Sequence, residues 1–348
     1  MNGDRTGIVM ITTGGTGGHI FPGLAVAAEL DARDWGVCWL GTRDGMEARL
    51  VPKHGVDFDG LDFGSIRGKG IKRLLFGPLS LMAACRQARG VLKRRRPDVV
   101  LGFGGFASFP GALMAVARNT PLVVHNLDAR PGLANRILRF GAERVITGFP
   151  GTFGATESGN PEWVGNPVRA DIAAVAPPEI RFTGRAGPLR VLVVGGSLGA
   201  VALNERVPRA LALIAESERP VVVHQGGEKH IETLRAEYAN AGVDALCLPF
   251  IDDMAQRYSD ADLVICRAGA TTIAELAAVG AASVLVPFPQ AADDHQIENA
   301  RQLADRGAAE MILQHEVTPE RLAGWLRGTT RARLLAMARA ARALRKAR

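Results

Sequence analysis

The sequence predicts an α/β protein built from two doubly wound, Rossmann-like domains of parallel sheet. Three observations carry that expectation. Short apolar runs alternate with helical stretches along the chain, the pattern of a parallel sheet covered by helices on both faces. Glycine-rich or small-residue segments follow several of these runs and lead straight into helices, at 12–22, 102–108, 195–200 and 266–275. The alternation pauses at a segment rich in Gly, Pro and Asn, 157–167, and then restarts with a new strand and glycine turn. At 348 residues the chain is long enough for two cores. Expected boundaries are 1–165 for the first domain, 166–329 for the second, and 330–348 for an Arg/Ala/Leu helix that crosses back onto the first. Two such domains facing each other would bind ligands in a cleft at the carboxyl ends of their strands.

Taken in order, the first domain should contain strands at Gly7–Thr12, Val37–Leu40, Val99–Gly102, Leu122–His125 and Arg144–Thr147. Helices belong near Gly23–Asp31, Pro78–Arg94, Pro110–Arg118 and Gly132–Phe140. In the second domain strands are expected at Leu189–Val194, Pro220–His224, Leu246–Pro249, Leu263–Cys266 and Ala282–Pro287. The segment Glu157–Pro167 reads as a linker.

Composition narrows the function. No apolar run reaches the length of a membrane span, and the N-terminus has no signal-peptide core. The four cysteines, Cys38, Cys85, Cys247 and Cys266, form no metal or disulfide spacing and read as buried thiols of a reducing, cytoplasmic compartment. The net charge of +7 is unevenly placed. Between Phe63 and Pro97 there is no acid, while Arg67, Lys69, Lys72, Arg73, Arg86, Arg89, Lys93, Arg94, Arg95 and Arg96 all fall there; the stretch after Glu320 is likewise acid-free. Such runs are often only solvated faces. Here Ile71, Leu74, Leu75, Phe76, Leu79, Leu81 and Met82 lie among the charges, which favours an anionic lipid surface over nucleic acid, whose single-strand sites use more aromatics.

The chemistry concentrates in the glycine loops. Thr12-Thr13-Gly14-Gly15-Thr16-Gly17-Gly18-His19-Ile20-Phe21-Pro22 lacks the P-loop Lys and the dinucleotide G-x-G-x-x-G spacing. Its glycines allow close backbone approach and its helix start offers N–H groups to an anion, although a purely structural turn is the plain alternative. The positive end of the helix disfavours a protonated His19, leaving an imidazole able to accept a proton. The loop Gly102-Phe103-Gly104-Gly105-Phe106-Ala107-Ser108 would give a second, adjacent cradle, or only tight packing. In the second domain, Gly195–Ala200 offers N–H groups and the Ser197 hydroxyl. Thr272-x-x-Glu275 fits a capping box, yet a carboxylate just inside a helix start can also hold the vicinal hydroxyls of a ribose. Asp293, Asp294 and His295 lack the spacing of a metal site; Gln296 suits sugar hydroxyls because its amide both donates and accepts.

Together these motifs resemble the MurG family of bacterial glycosyltransferases. The likeness rests on GGTGGHIFP, GFGGFASFPG, GNPVR, GGSLGA, FIDDM, CRAGATTIAE and HQIENA, in that order over nearly the whole chain. The resemblance implies a GT-B fold and inverting transfer of N-acetylglucosamine from UDP-GlcNAc to the 4-hydroxyl of the muramyl sugar of lipid I, giving lipid II. It implies no cofactor and no metal, an acceptor held by the first domain, and peripheral attachment to the cytoplasmic face of the inner membrane. Carried across residue by residue, His19 is the general base. Thr16, Gly17, Gly18, Asp128, Arg169, Ser197, Ile251, Ala270, Thr271, Thr272, Ile273, Ala274, Glu275 and Gln296 serve the donor. Gly14, Gly15, Gly104, Gly105 and Ser108 serve the acceptor diphosphate. Lys69, Ile71, Lys72, Arg73, Leu74, Leu75, Phe76 and Leu79 form the membrane patch. The chain departs from the family at His125-Asn126-Leu127-Asp128, where His-Glu-Gln-Asn is usual, and at Leu198, where Gln is common. The rival readings are another GT-B enzyme, such as a UDP-GlcNAc 2-epimerase, and a non-catalytic nucleic-acid binder.

Overall fold

The computed structural model describes residues 6–15, 17–63, 71–154, 161–196, 199–289 and 294–346, with the backbone alone over 71–77. Thr16, Lys69, Ser197 and Leu198 therefore lie outside the described residues, as do the side chains of Ile71, Lys72, Arg73, Leu74, Leu75 and Phe76.

The chain divides into two compact units, Met1–Pro167 and Val168–Arg348. The first holds seven strands: β1 (Ile8–Thr12), β2 (Gly36–Thr42), β3 (Asp57–Leu61), β4 (Val99–Gly102), β5 (Leu122–Asn126), β6 (Arg144–Thr147) and β7 (Glu162–Trp163). Their order across the sheet is β3-β2-β1-β4-β5-β6-β7, and every pairing is parallel. The second holds six: β8 (Arg190–Val194), β9 (Val221–Gln225), β10 (Leu246–Leu248), β11 (Leu263–Cys266), β12 (Ser283–Leu285) and β13 (Ala309–Met311). Their order is β10-β9-β8-β11-β12-β13, again all parallel. Both sheets reverse direction of progression between their first and fourth strands. The register pairs Thr12 with Gly102 and Val194 with Cys266, so all four small-residue loops leave the sheets at these two switch points. That is where doubly wound sheets bind ligands.

Three strands escaped the sequence reading, and all sit at sheet edges. Strand β3 reads Asp-Phe-Asp-Gly-Leu, because an edge strand need not be apolar on both sides. Strand β7 falls inside the supposed linker and pairs with β6, so that segment is partly sheet. The first helix runs Gly17–Asp31, six residues earlier than expected, with Pro22 inside it. Two glycines are poor helix formers, but packing overrides propensity here. Gly17 and Ile20 are buried, and a Cβ on Gly23 would come within 2.5 Å of the Trp39 ring.

The terminal helix Arg331–Ala343 packs within the second unit. Its apolar face joins the second unit's core through Leu334, Met337 and Ala338, and it packs on the helices Ala270–Val279 and Pro178–Arg181. Arg331 bonds the buried Asp262, which also accepts from Arg185 and the Arg190 N–H; Arg342 bonds the Ala278 carbonyl. Several of its arginines thus serve internal contacts rather than a ligand surface.

Candidate functional site

In the first unit the two glycine loops meet. A Cβ on Gly105, where φ is +77°, would lie 3.3 Å from the Gly14 carbonyl, and one on Gly14 would press on Ala107. Gly104, at φ +80°, leaves room for the Asn135 side chain. Gly14 and Gly17 are buried, Gly15 and Gly18 exposed, and His19 half-buried in the first helical turn. Two of the expected acceptor-diphosphate groups are engaged within the protein. The Gly15 N–H points to the Glu47 carboxylate at 3.2 Å, and the fully buried Ser108 donates its hydroxyl to the Gly105 carbonyl at 2.9 Å.

At the end of β5, His125 is buried against Phe103, with ring centroids 5.3 Å apart, and burial lowers its pKa to about 4, so it stays neutral. Asn126 donates to the Asp128 carbonyl and accepts from Asn135, while Asn166 donates to the Leu127 carbonyl. Asparagines therefore shape the turn that presents the half-buried Asp128.

In the second unit, strand β11 leads through Arg267-Ala268-Gly269 into the helix Ala270–Val279. Gly269 is the N-cap and Thr272 lies inside the first turn, so Thr272 and Glu275 do not form a capping box. The ladder begins with the Ile273 N–H on the Gly269 carbonyl, which places Ala270, Thr271 and Thr272 in the first turn, at the positive end of the helix. Glu275 instead accepts from the Tyr258 hydroxyl at 3.0 Å. Burial raises the Glu275 carboxyl to about 7, against the pull of Arg169 and of the Tyr258 hydrogen bond. The structure thus brings Arg169, Glu275 and the unforeseen Tyr258 together, and buries Ile251 close by in sequence.

Gln296 and Asn299, on the helix His295–Ala304, hold the Ala268 backbone from both sides. Gln296 Oε1 accepts from the N–H groups of Ala268 and Phe288 at 3.3 and 3.0 Å, and Asn299 donates to the Ala268 carbonyl at 3.1 Å. The Gln296 amide is therefore oriented, with Nε2 as its other end. The Gly195–Gly199 loop is supported by amides as well: Gln225 donates to the Gly196 carbonyl and Asn204 to the Gly226 carbonyl. Gly199, at φ +76°, sits so close to Gly226 that a Cβ would fall 2.2 Å from its oxygen. Asn204 and Tyr258 fall outside the motifs quoted above, and their roles, like that of Asn299 within HQIENA, depend on partners remote in sequence.

Elsewhere, Cys38 and Cys266 are buried and pushed up to about 12, whereas Cys85 and Cys247 are only half-buried. Among the described residues no His, Cys, Asp or Glu cluster could hold a metal, and no helix is long and apolar enough to cross a membrane. The helix Ile71–Arg95 exposes Leu79 and Met82, each 56%, beside exposed Arg86, Arg89 and Lys93; Arg94 and Arg95 pair with Asp57 and Asp59 of β3.

Two doubly wound units of parallel sheet, each with paired small-residue loops at its switch point, make up a GT-B fold. The glycosyltransferase family 28 N-terminal domain matches residues 9–147, and the family's C-terminal domain matches 190–348. A UDP-N-acetylglucosamine–N-acetylmuramyl-(pentapeptide) pyrophosphoryl-undecaprenol N-acetylglucosamine transferase from Aromatoleum aromaticum is 58% identical over 98% of this chain and 94% of its own. Its namesake from Burkholderia multivorans is 54% identical over 97% and 92%. The crystal structure of Acinetobacter baumannii MurG superposes with a TM-score of 0.82 at 39% identity, covering 98% of this chain and 96% of that one. The spinosyn rhamnosyltransferase SpnG, with thymidine diphosphate, shares only the fold, at TM-score 0.63 and 16% identity over 97% and 96%. The chain belongs to glycosyltransferase family 28, among its MurG members.

Proposed function

We infer that the protein transfers N-acetylglucosamine from UDP-GlcNAc to lipid I, releasing UDP and forming lipid II. The observation that carries this reading is the helix start at Ala270, N-capped by Gly269, with Glu275, Tyr258 and Arg169 assembled beside it. The N–H groups of Ala270, Thr271 and Thr272, with the Ser197 hydroxyl, receive the UDP diphosphate; Ile273 and Ala274 continue the same turn. Glu275 accepts the two ribose hydroxyls, Arg169 lies by the nucleotide, and the Ile251 backbone meets the uracil. Gln296 turns Nε2 to the sugar hydroxyls. Thr16, Gly17, Gly18 and Asp128 serve the sugar end, where Asp128 accepts but does not donate.

His19 acts as the general base. It takes the proton of the acceptor 4-hydroxyl as that oxygen bonds to the anomeric carbon from the face opposite the leaving group. The bond from the anomeric carbon to the UDP oxygen breaks, its electron pair leaves with UDP, and the configuration inverts. Helix-start N–H groups stabilise the charge that develops on UDP. Gly14, Gly104 and Gly105 border the acceptor diphosphate. The decisive assay is UDP release from UDP-GlcNAc with and without a lipid I analogue. Turnover should require the acceptor and fall about 10²–10⁴-fold in His19→Ala, with UDP binding intact. Unchanged turnover in that variant removes the base assignment, and epimerisation without acceptor removes the transferase reading.

We also place the protein on the cytoplasmic face of the bacterial inner membrane. Leu79 and Met82 supply exposed apolar area beside cationic side chains. A second exposed stripe, Leu133, Arg136, Ile137 and Phe140, follows helical spacing on and just beyond Leu133–Leu138, and both helices pack on Phe109–Ala117. Apolar side chains edged by Arg and Lys suit an anionic leaflet. The double variant Leu79→Glu, Met82→Glu should lose most co-sedimentation with anionic vesicles; equal binding by native and variant proteins would refute this patch.

A further inference from the structure

A buried carboxylate lies directly beneath the His19 loop. Glu47 sits in the first turn of the short helix Met46–Leu50, just after β2, and is wholly buried. Its Oε1 accepts from the Thr42 N–H at 2.9 Å and the Thr42 hydroxyl at 2.6 Å, and its Oε2 accepts from the Gly15 N–H at 3.2 Å. Three glycines from three segments make room for it. A Cβ would fall 2.2 Å from Oε1 at Gly14, 2.3 Å from it at Gly45, and 2.6 Å from Cγ at Gly41. These donors are all neutral. Burying a carboxylate on neutral donors is costly compared with an apolar residue of similar size, so stability alone does not account for it. Its one long-range hydrogen bond goes to the turn that precedes His19. Trp39, also on β2, donates its indole N–H to the Thr13 carbonyl and anchors the other end of the same turn.

We propose that Glu47 is a positioning residue for glycosyl transfer: by drawing the Gly15 amide inward it fixes the turn from which the helix at Gly17 presents His19. This rests on the reading of His19 as the base. The carboxylate acts through the backbone and touches no substrate. It also takes the Gly15 amide out of those able to bind phosphate.

The test is Glu47→Gln in the full chain. Glutamine preserves the volume and can keep its oxygen on Thr42, but it then turns an NH₂ donor toward the Gly15 N–H. We expect kcat to fall about tenfold to a hundredfold, with a smaller change in KM for UDP-GlcNAc, because the groups we assign to the nucleotide lie in the other unit and only the sugar end reaches this turn. Amide hydrogen exchange across 14–19 should accelerate about tenfold. Combined with His19→Ala, the substitution should add almost no further loss, as two parts of one device are non-additive. Thr42→Val, which removes only one donor, should shift exchange and kcat the same way by less, and it serves if Glu47→Gln folds poorly. Native-like exchange at 14–19, or a loss of kcat additive to that of His19→Ala, overturns the proposal. If His19→Ala alone leaves turnover unchanged, the base reading fails, while the exchange measurement still judges whether Glu47 holds the turn.

Discussion

The two units share a strand order and place their loops at equivalent points, yet they support those loops with opposite electrostatics. Beneath Gly14 and Gly15 lies a carboxylate, Glu47. Beneath the loops of the second unit lie amides: Gln225 and Asn204 at Gly195–Gly199, Gln296 and Asn299 at Ala268. An amide fixes backbone geometry without adding charge, so the positive helix start at Ala270 is left to an anion. A carboxylate fixes geometry and adds negative charge. On the proposed reading the second unit's loops hold the UDP diphosphate while the first unit's turn presents the base, and the supporting side chains differ with it.

Exchanging the supports is the sharpest way to break the comparison. Gln296→Glu keeps the oxygen that accepts from Ala268 and Phe288 but adds a charge like that of Glu47. UDP-GlcNAc binding should weaken about tenfold to a hundredfold, roughly 1.4–2.8 kcal/mol, by calorimetry, with the fold unchanged by circular dichroism. An unaltered affinity would mean that the neutrality of the second unit's supports is incidental.

A smaller effect sharpens the same contrast from Glu275, the carboxylate we place at the ribose. Burial raises it to about 7, with Arg169 and the Tyr258 hydrogen bond opposing and Asp171 adding to the rise. Its folded value therefore exceeds its unfolded one, so the ligand-free fold binds the extra proton between these values and loses this group's contribution as pH climbs through about 7. Ribose hydroxyls donate to the ionised form and pull the other way. UDP-GlcNAc affinity should rise severalfold from about pH 5.5 to about pH 8, with proton release below about pH 7, seen by titration in buffers of differing ionisation enthalpy. Tyr258→Phe removes a donor to the charged form and should move this rise to higher pH; Glu275→Gln should abolish it. A flat profile in the native protein would exclude Glu275 as the ribose acceptor.

Much of the architecture was legible because it is written locally. Apolar, β-branched runs such as Ile8–Ile11 and Val191–Val194, bounded by turn residues, read as buried strands, and a glycine cluster followed by a helix pattern marks a strand-to-helix loop. Where local signals are weak the reading slipped. Edge strands β3, β7 and β13 lack a double-sided apolar run, and the helix at Gly17 begins where propensity argues against it. The arginine-rich tail read as a charged surface until Asp262 and the Ala278 carbonyl were seen to receive Arg331 and Arg342.

The sequence by itself determined the parallel α/β class, the four loops and the residues that carry the family likeness, since each depends on neighbours along the chain. Only the tertiary structure decided what holds those loops. Glu47 reaches Gly15 across 32 positions, Asn299 reaches Ala268 across 31, and Tyr258 reaches Glu275 across 17. Such pairs arise from strand order and helix packing, which bring distant segments within hydrogen-bond range, and no spacing rule in the sequence specifies them. His19 is visible as a candidate base in the sequence; the carboxylate beneath its turn becomes visible only once β1 and β2 lie side by side.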